Sequence, residues 1–133
     1  MKINLKELII DLELSDSAIR DNALIESVAL IALSESGAKI RDIKEDIWQP
    51  HGLQFYAVLE TSHCIFTTYP EQNYLTINYA SCGNIDFDAF LAVVLRELKP
   101  KCIIRQVITD RQPQQQPIGS ITKIYPCKGN NIH

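Results

Sequence analysis

The segment at residues 74–79 reads Tyr-Leu-Thr-Ile-Asn-Tyr. Apolar and polar side chains alternate without a break, and a period of two is the mark of a strand with one buried face. Two more runs precede it, at residues 53–59 and 63–69, and the connections between the three are short. Connections of that length cannot hold the crossover that parallel strands need, so these strands must lie antiparallel in one sheet. This constrains the fold more than any other feature of the chain.

The rest of the chain is read around that sheet. Residues 8–14 begin as an apolar run and become alternating, which predicts a first strand. Ser15 or Ser17 can cap a helix running to about Ser36, with Leu24, Val28 and Ile31 on one face and Gly37 to end it. Residues 38–47 predict a strand with an irregularity, because Ile40 and Ile43 differ in parity. Residues 50–52, Pro-His-Gly, form a turn. Residues 86–98 predict a second helix, with Phe87, Phe90, Leu91, Val94 and Leu98 at helical spacing, and Pro100 stops it. Residues 101–109 predict a last strand. The expected fold class is α+β, a two-layer sandwich in which two helices cover one face of an antiparallel sheet. The uncovered face carries many apolar positions and is expected to meet a second copy of the chain as a homodimer. Residues 1–110 form the predicted domain. Residues 111–133 are read as a polar linker and tail, in which residues 118–125 either add a short edge strand or lie against the body.

Composition narrows the function classes. The 133 residues are 46% hydrophobic, enough for a buried core, and the net charge is −3. No basic face is in view, which argues against nucleic acid. The apolar run at residues 28–33 is far too short to span a membrane, and the first residues lack a signal-peptide pattern, so a cytoplasmic protein is expected. Cysteines at 64, 82, 102 and 127 form no C-x-x-C pair, and no histidine has ligand spacing to them. Free thiols and no metal are expected.

The chemistry-bearing residues lie between positions 48 and 83. Residues 60–71 read Glu-Thr-Ser-His-Cys-Ile-Phe-Thr-Thr-Tyr-Pro-Glu, and residues 79–83 read Tyr-Ala-Ser-Cys-Gly. Residues 35–38, Glu-Ser-Gly-Ala, close the first helix, and Pro50-His51-Gly52 precedes the central hairpin. Over residues 8–109 this order and spacing resembles the small bacterial S-adenosylmethionine decarboxylases. Members of that family cleave their own chain and convert a serine into a pyruvoyl cofactor. The resemblance implies that Ser62 is the pyruvoyl precursor, that the scissile bond is Thr61-Ser62, and that Cys82 is the proton donor. A thiol suits that task because its ordinary pKa is about 8.5. Glu71 would hold the ribose hydroxyls of S-adenosylmethionine, and Trp48 would stack on its adenine. The cofactor would take the substrate amine as a Schiff base and draw electrons as carbon dioxide leaves, feeding spermidine synthesis.

The chain departs from the family pattern where self-cleavage is concerned. Thr61 stands where the family has a glutamate, Thr67 where it has a histidine, and Gln54 where it has a serine. Glu7 replaces a histidine near the first strand. An alcohol is no base near neutral pH, and an amide cannot shuttle a proton. Strand parity puts Ser62, Cys64, Phe66 and Thr68 on one face and His63, Ile65 and Thr67 on the other, so His63 faces the side of the missing histidine. Each residue also has a plain reading: a turn serine, a packed cysteine, a solvated glutamate, a core tryptophan. Beside the decarboxylase stand three alternatives: a decarboxylase of arginine or ornithine, an unprocessed binding or partner subunit, and a regulatory ligand-binding domain.

Overall fold

The computed structural model describes residues 4–111, 120–125 and 127. Its elements run β1 (Leu5–Glu13), α1 (Asp16–Ile19), α2 (Asn22–Glu35), β2 (Ile40–Ile47), β3 (Leu53–Leu59), β4 (Ser62–Tyr69), a 3₁₀ turn (Pro70–Gln72), β5 (Tyr74–Cys82), α3 (Phe87–Leu98), β6 (Cys102–Arg111) and β7 (Ser120–Ile124). The seven strands form one sheet in the order β2-β3-β4-β5-β1-β6-β7, and every neighbouring pair is antiparallel.

Helices α2 and α3 cover one face. The core lies between them and the strand positions of one parity: Leu8, Ile10 and Leu12 on β1, Phe55 on β3, Phe66 on β4, Leu75, Ile77 and Tyr79 on β5. The expected two-layer α+β sandwich is therefore the observed one. The irregularity expected in β2 is a register shift between Ile40 and Asp42.

One expected helix is two. Ser15 caps α1 by accepting from the Ala18 amide at 3.2 Å, and Asp21 caps α2 by accepting from the Leu24 amide at 3.0 Å. Arg20-Asp21-Asn22 places two residues that favour cap positions where a continuous helix would need interior ones. The end of α2 follows the expectation for Gly37. The Gly37 amide bonds the Ser34 carbonyl and the Ala38 amide bonds the Leu33 carbonyl, both at 3.1 Å, and Gly37 has φ +89°. This double closure uses the left-handed residue that glycine supplies without strain.

Strand β7 pairs with β6 from Arg105↔Ile124 to Thr109↔Ser120. The linker expected at residues 112–117 lies outside the described residues, as do residues 128–133 of the expected tail. The pairing returns the chain to the start of β6, where Cys102 and Cys127 form a disulfide with Cα atoms 5.3 Å apart. This corrects the expectation of free thiols for that pair. A 25-residue separation says nothing in sequence about two ends that the β6–β7 ladder brings together. Cys64 and Cys82 are free thiols. Among the described residues, no helix is long and apolar enough to cross a membrane.

Candidate active site

The β3–β4 hairpin places Ser62. Leu59 pairs with Ser62, so Glu60 and Thr61 alone make the turn. Thr61 carries φ +56°, a left-handed conformation that is rare for a β-branched residue and costs about 1–3 kcal/mol. Its hydroxyl donates to the Glu60 carbonyl at 2.7 Å and shares that proton weakly with the Cys82 carbonyl at 3.4 Å. The strained residue thus precedes Ser62 directly and is tied across to β5.

Strand β5 supplies the other wall. His63 pairs with Ala80, which sets Ser81 opposite Ser62. The Ser62 hydroxyl donates to Ser81 Oγ at 3.2 Å and accepts from the Cys82 amide at 3.3 Å. Ser62 and Cys82 line one cleft of about 160 Å³ with Gly37, Lys39, Glu60 and Ser81. The segment after α2 is held there by two links. The Ser36 carbonyl accepts from the Asp86 amide at 3.1 Å, and Ser36 Oγ lies 2.8 Å from the Tyr79 hydroxyl.

The remaining expected site residues lie elsewhere. His63 is on the opposite face of β4 from the core, as parity predicts, and stacks on Tyr56 with ring centroids 6.3 Å apart. Gln54 and Thr67 are direct cross-strand partners. Five residues separate Thr67 from Ser62 on one strand, about 16 Å at roughly 3.3 Å per residue. Glu71 sits in the 3₁₀ turn after β4 and is exposed. Trp48 follows β2, lies outside the core cluster, and donates from its indole to Asp46 Oδ2 at 2.9 Å. It packs over Gly52, where an added Cβ would meet the indole at 2.8 Å. Glu71 and Trp48 are thus at the far end of the sheet from Ser62 and Cys82. Ser81, buried at 3% exposure, escaped the sequence reading. Its only signal was its position next to Cys82.

The open sheet face carries a polar knot. Asp11, 4% exposed, accepts from Thr76 Oγ1 at 2.6 Å and from Arg105 at 3.2 Å. Burial, with Asp11 as a hydrogen-bond partner, pushes the Tyr74 phenol up to about 12. A shallow cavity of about 510 Å³ opens beside it, lined by Ile9, Tyr69 and Tyr74. A second, of about 450 Å³, is lined by Gln54, Tyr56 and Lys44. At the β1–β6 end of the sheet, a Glu13 carboxylate oxygen lies within 4.8 Å of both disulfide sulfurs.

The S-adenosylmethionine decarboxylase family profile matches residues 6–111. S-adenosylmethionine decarboxylase proenzyme 2 of Bacillus cereus is 30% identical over 98 residues, covering 72% of this chain and 80% of that protein. The Bacillus anthracis proenzyme 2 is 30% identical over 97 residues, 71% and 79% of the two chains. The crystal structure of the Aquifex aeolicus adenosylmethionine decarboxylase superposes with a TM-score of 0.67 at 19% identity, over 90% of this chain and 96% of that one, a likeness of fold. The chain belongs to the S-adenosylmethionine decarboxylase family.

Proposed function

We propose that this chain is a self-processing decarboxylase of S-adenosylmethionine serving spermidine synthesis. It would cleave between Thr61 and Ser62 and use the resulting pyruvoyl group. The observation that carries the reading is the shared cleft, in which the Ser62 hydroxyl accepts from the Cys82 amide. The residues present fit the group: its precursor serine sits at the cleft, next to a free thiol. The pyruvoyl group supplies an electron sink for loss of carbon dioxide. This chain's part is to place it, to return a proton from Cys82 Sγ to the product carbon, and to hold the nucleoside.

A dimer belongs to the same reading. The cleft, at about 160 Å³, is smaller than the roughly 300–1,000 Å³ typical of small-molecule sites. Glu71 and Trp48 stand a strand's length away, about 23 Å for β4 at roughly 3.3 Å per residue. A second copy running antiparallel across the open face would bring its Glu71, Trp48, Gln54 and Thr67 to the end of the sheet that carries Ser62 and His63. Such two-fold pairing is the common closed symmetry. Light scattering would show a dimer, and a monodisperse monomer at micromolar concentration would refute this part.

The deciding experiment is the intact mass of freshly purified, denatured protein. Two fragments split between Thr61 and Ser62, the heavier with a blocked N-terminus, are expected. S-adenosylmethionine should then be turned over in preference to arginine or ornithine. A single 15.1 kDa chain after long incubation refutes self-processing. That outcome favours an unprocessed ligand-binding or partner subunit, a reading supported by Gln54 and Thr67 at the positions of the family serine and histidine.

A further inference from the structure

We infer that Ser81 is the residue that positions the Ser62 hydroxyl for chain cleavage. The inference rests on the self-processing reading above and deepens it. Two of the positions at which the chain departs from the family pattern, Gln54 and Thr67, pair with each other. Within one chain they lie about 16 Å along the strand from Ser62 at roughly 3.3 Å per residue. The groups that touch Ser62 Oγ are different: Ser81 Oγ at 3.2 Å and the Cys82 amide at 3.3 Å.

These two contacts do separate work on one rotor. The Cys82 amide engages a lone pair of Ser62 Oγ. Ser81 Oγ takes its proton as a hydrogen bond. A free serine hydroxyl samples three staggered wells, and two bonds from adjacent residues of a neighbouring strand leave it one. The second lone pair is then free to approach the carbonyl carbon of Thr61. Ser81 is 3% exposed, so water does not compete for the contact, and a hydrogen bond screened from water is stronger than an exposed one. The Thr61 carbonyl belongs to a residue already held at φ +56°, tied to Glu60 and Cys82 through its hydroxyl. Nucleophile and electrophile are therefore each fixed by β5, and Ser81 supplies the nucleophile's side.

The sequence balances with water as the only other reactant. Ser62 Oγ bonds to the Thr61 carbonyl carbon, the Thr61-Ser62 C–N bond breaks, and the proton leaving Oγ ends on the freed amine, giving an ester. Water then takes the Ser62 Cα proton as the Ser62 Cβ–O bond of the ester breaks, leaving a Thr61 carboxylate and a dehydroalanine. Water converts that to the pyruvoyl group with release of ammonia. Ser81 is an alcohol and no base near neutral pH. Its part is to orient, and positioned reactants gain rate through geometry.

The test is the rate of chain cleavage, followed by mass in the native protein, Ser81→Ala and Ser81→Thr, each checked for folding by far-UV circular dichroism. Loss of one hydrogen bond of ordinary net strength predicts cleavage about five- to tenfold slower in Ser81→Ala. Ser81→Thr, which keeps the hydroxyl on a β-favouring side chain, should stay within about twofold of native. If Ser81→Ala does not fold, Ser81→Cys replaces it, with a similar size, a weak acceptor and the same expected slowing. Native-rate cleavage in the Ala or Cys variant overturns the inference while self-processing stands. Equal slowing in Ala and Thr also overturns it, since packing and not the hydroxyl would then be at stake. A native protein that never cleaves defeats the self-processing reading itself, and this inference with it.

Discussion

Tyr79→Phe should cost about 1 kcal/mol of stability through one buried hydrogen bond. Tyr79 is fully buried and packs against Phe87 and Phe90 at ring-centroid distances of 5.1 and 4.8 Å. Its hydroxyl lies 2.8 Å from Ser36 Oγ. Ser36 spends its only proton on the Leu33 carbonyl, also at 2.8 Å, so the phenol must be the donor between them. Removing the phenol oxygen leaves Ser36 with an empty acceptor and no stranded donor, hence a net loss of only about 1 kcal/mol. Ser36→Ala does more harm. It breaks the bond to Leu33 and strands the Tyr79 donor among aromatic rings, for about 2–3 kcal/mol. The double variant removes the stranded donor too, so it should cost less than the sum of the singles by about 1 kcal/mol. Urea unfolding in a Ser62→Ala background, which keeps the chain intact, reads these values from midpoints at a common slope. In melting temperature, Tyr79→Phe should lose roughly 3–6 °C. A Tyr79→Phe protein within about 0.3 kcal/mol of its parent, or strictly additive singles, would refute the donor assignment. The Ser36–Tyr79 link would then not be what holds the α2 terminus beside the Ser62 cleft.

Reducing the Cys102–Cys127 disulfide opens a loop with a sequence separation of 25; in the chain-entropy account this costs about 3.5 kcal/mol, and melts with and without a dithiol reductant check it against a Cys102→Ser/Cys127→Ser protein. Two of the five tyrosines, Tyr74 and Tyr79, are pushed up to about 12, chiefly by burial. Raised phenols stabilise the fold below the ordinary value near 10 and lose that contribution as pH climbs through 12, so absorbance at alkaline pH should show two late phenols only while the protein stays folded. Thr67→His, which restores the imidazole of the family pattern, should speed cleavage up to about a hundredfold. An unchanged rate by mass would mean that residue 67 never approaches a Ser62 hydroxyl. Thr61→Gly removes the left-handed strain ahead of the scissile bond; it should slow cleavage without lowering the melting temperature, and a faster rate would contradict a role for that strain.

Much of the fold was legible because its signals are local. Period-two alternation at residues 74–79, the apolar run at residues 53–59 and the stop at Gly37 each depend on neighbours within a few residues. So does the parity that separates Ser62 from His63 on β4, and the structure follows all of them. The break of the first helix at Asp21 was also local, but the caps offered at Ser15 and Ser17 pointed to a single helix running on to Ser36. The proximity of Ser62 and Cys82 entered the sequence reading as part of a family pattern, and no spacing rule yields it alone. What tertiary structure decided is whatever depends on strand register and on the path of the chain in space. Register set Ser81 against Ser62, and placed Gln54 and Thr67 together far from the cleft. The β6–β7 return joined Cys102 to Cys127. The physical reason is the same in each case: a side chain's face follows from its own strand, whereas its neighbour across a ladder follows from where another segment, often dozens of residues away, comes to rest.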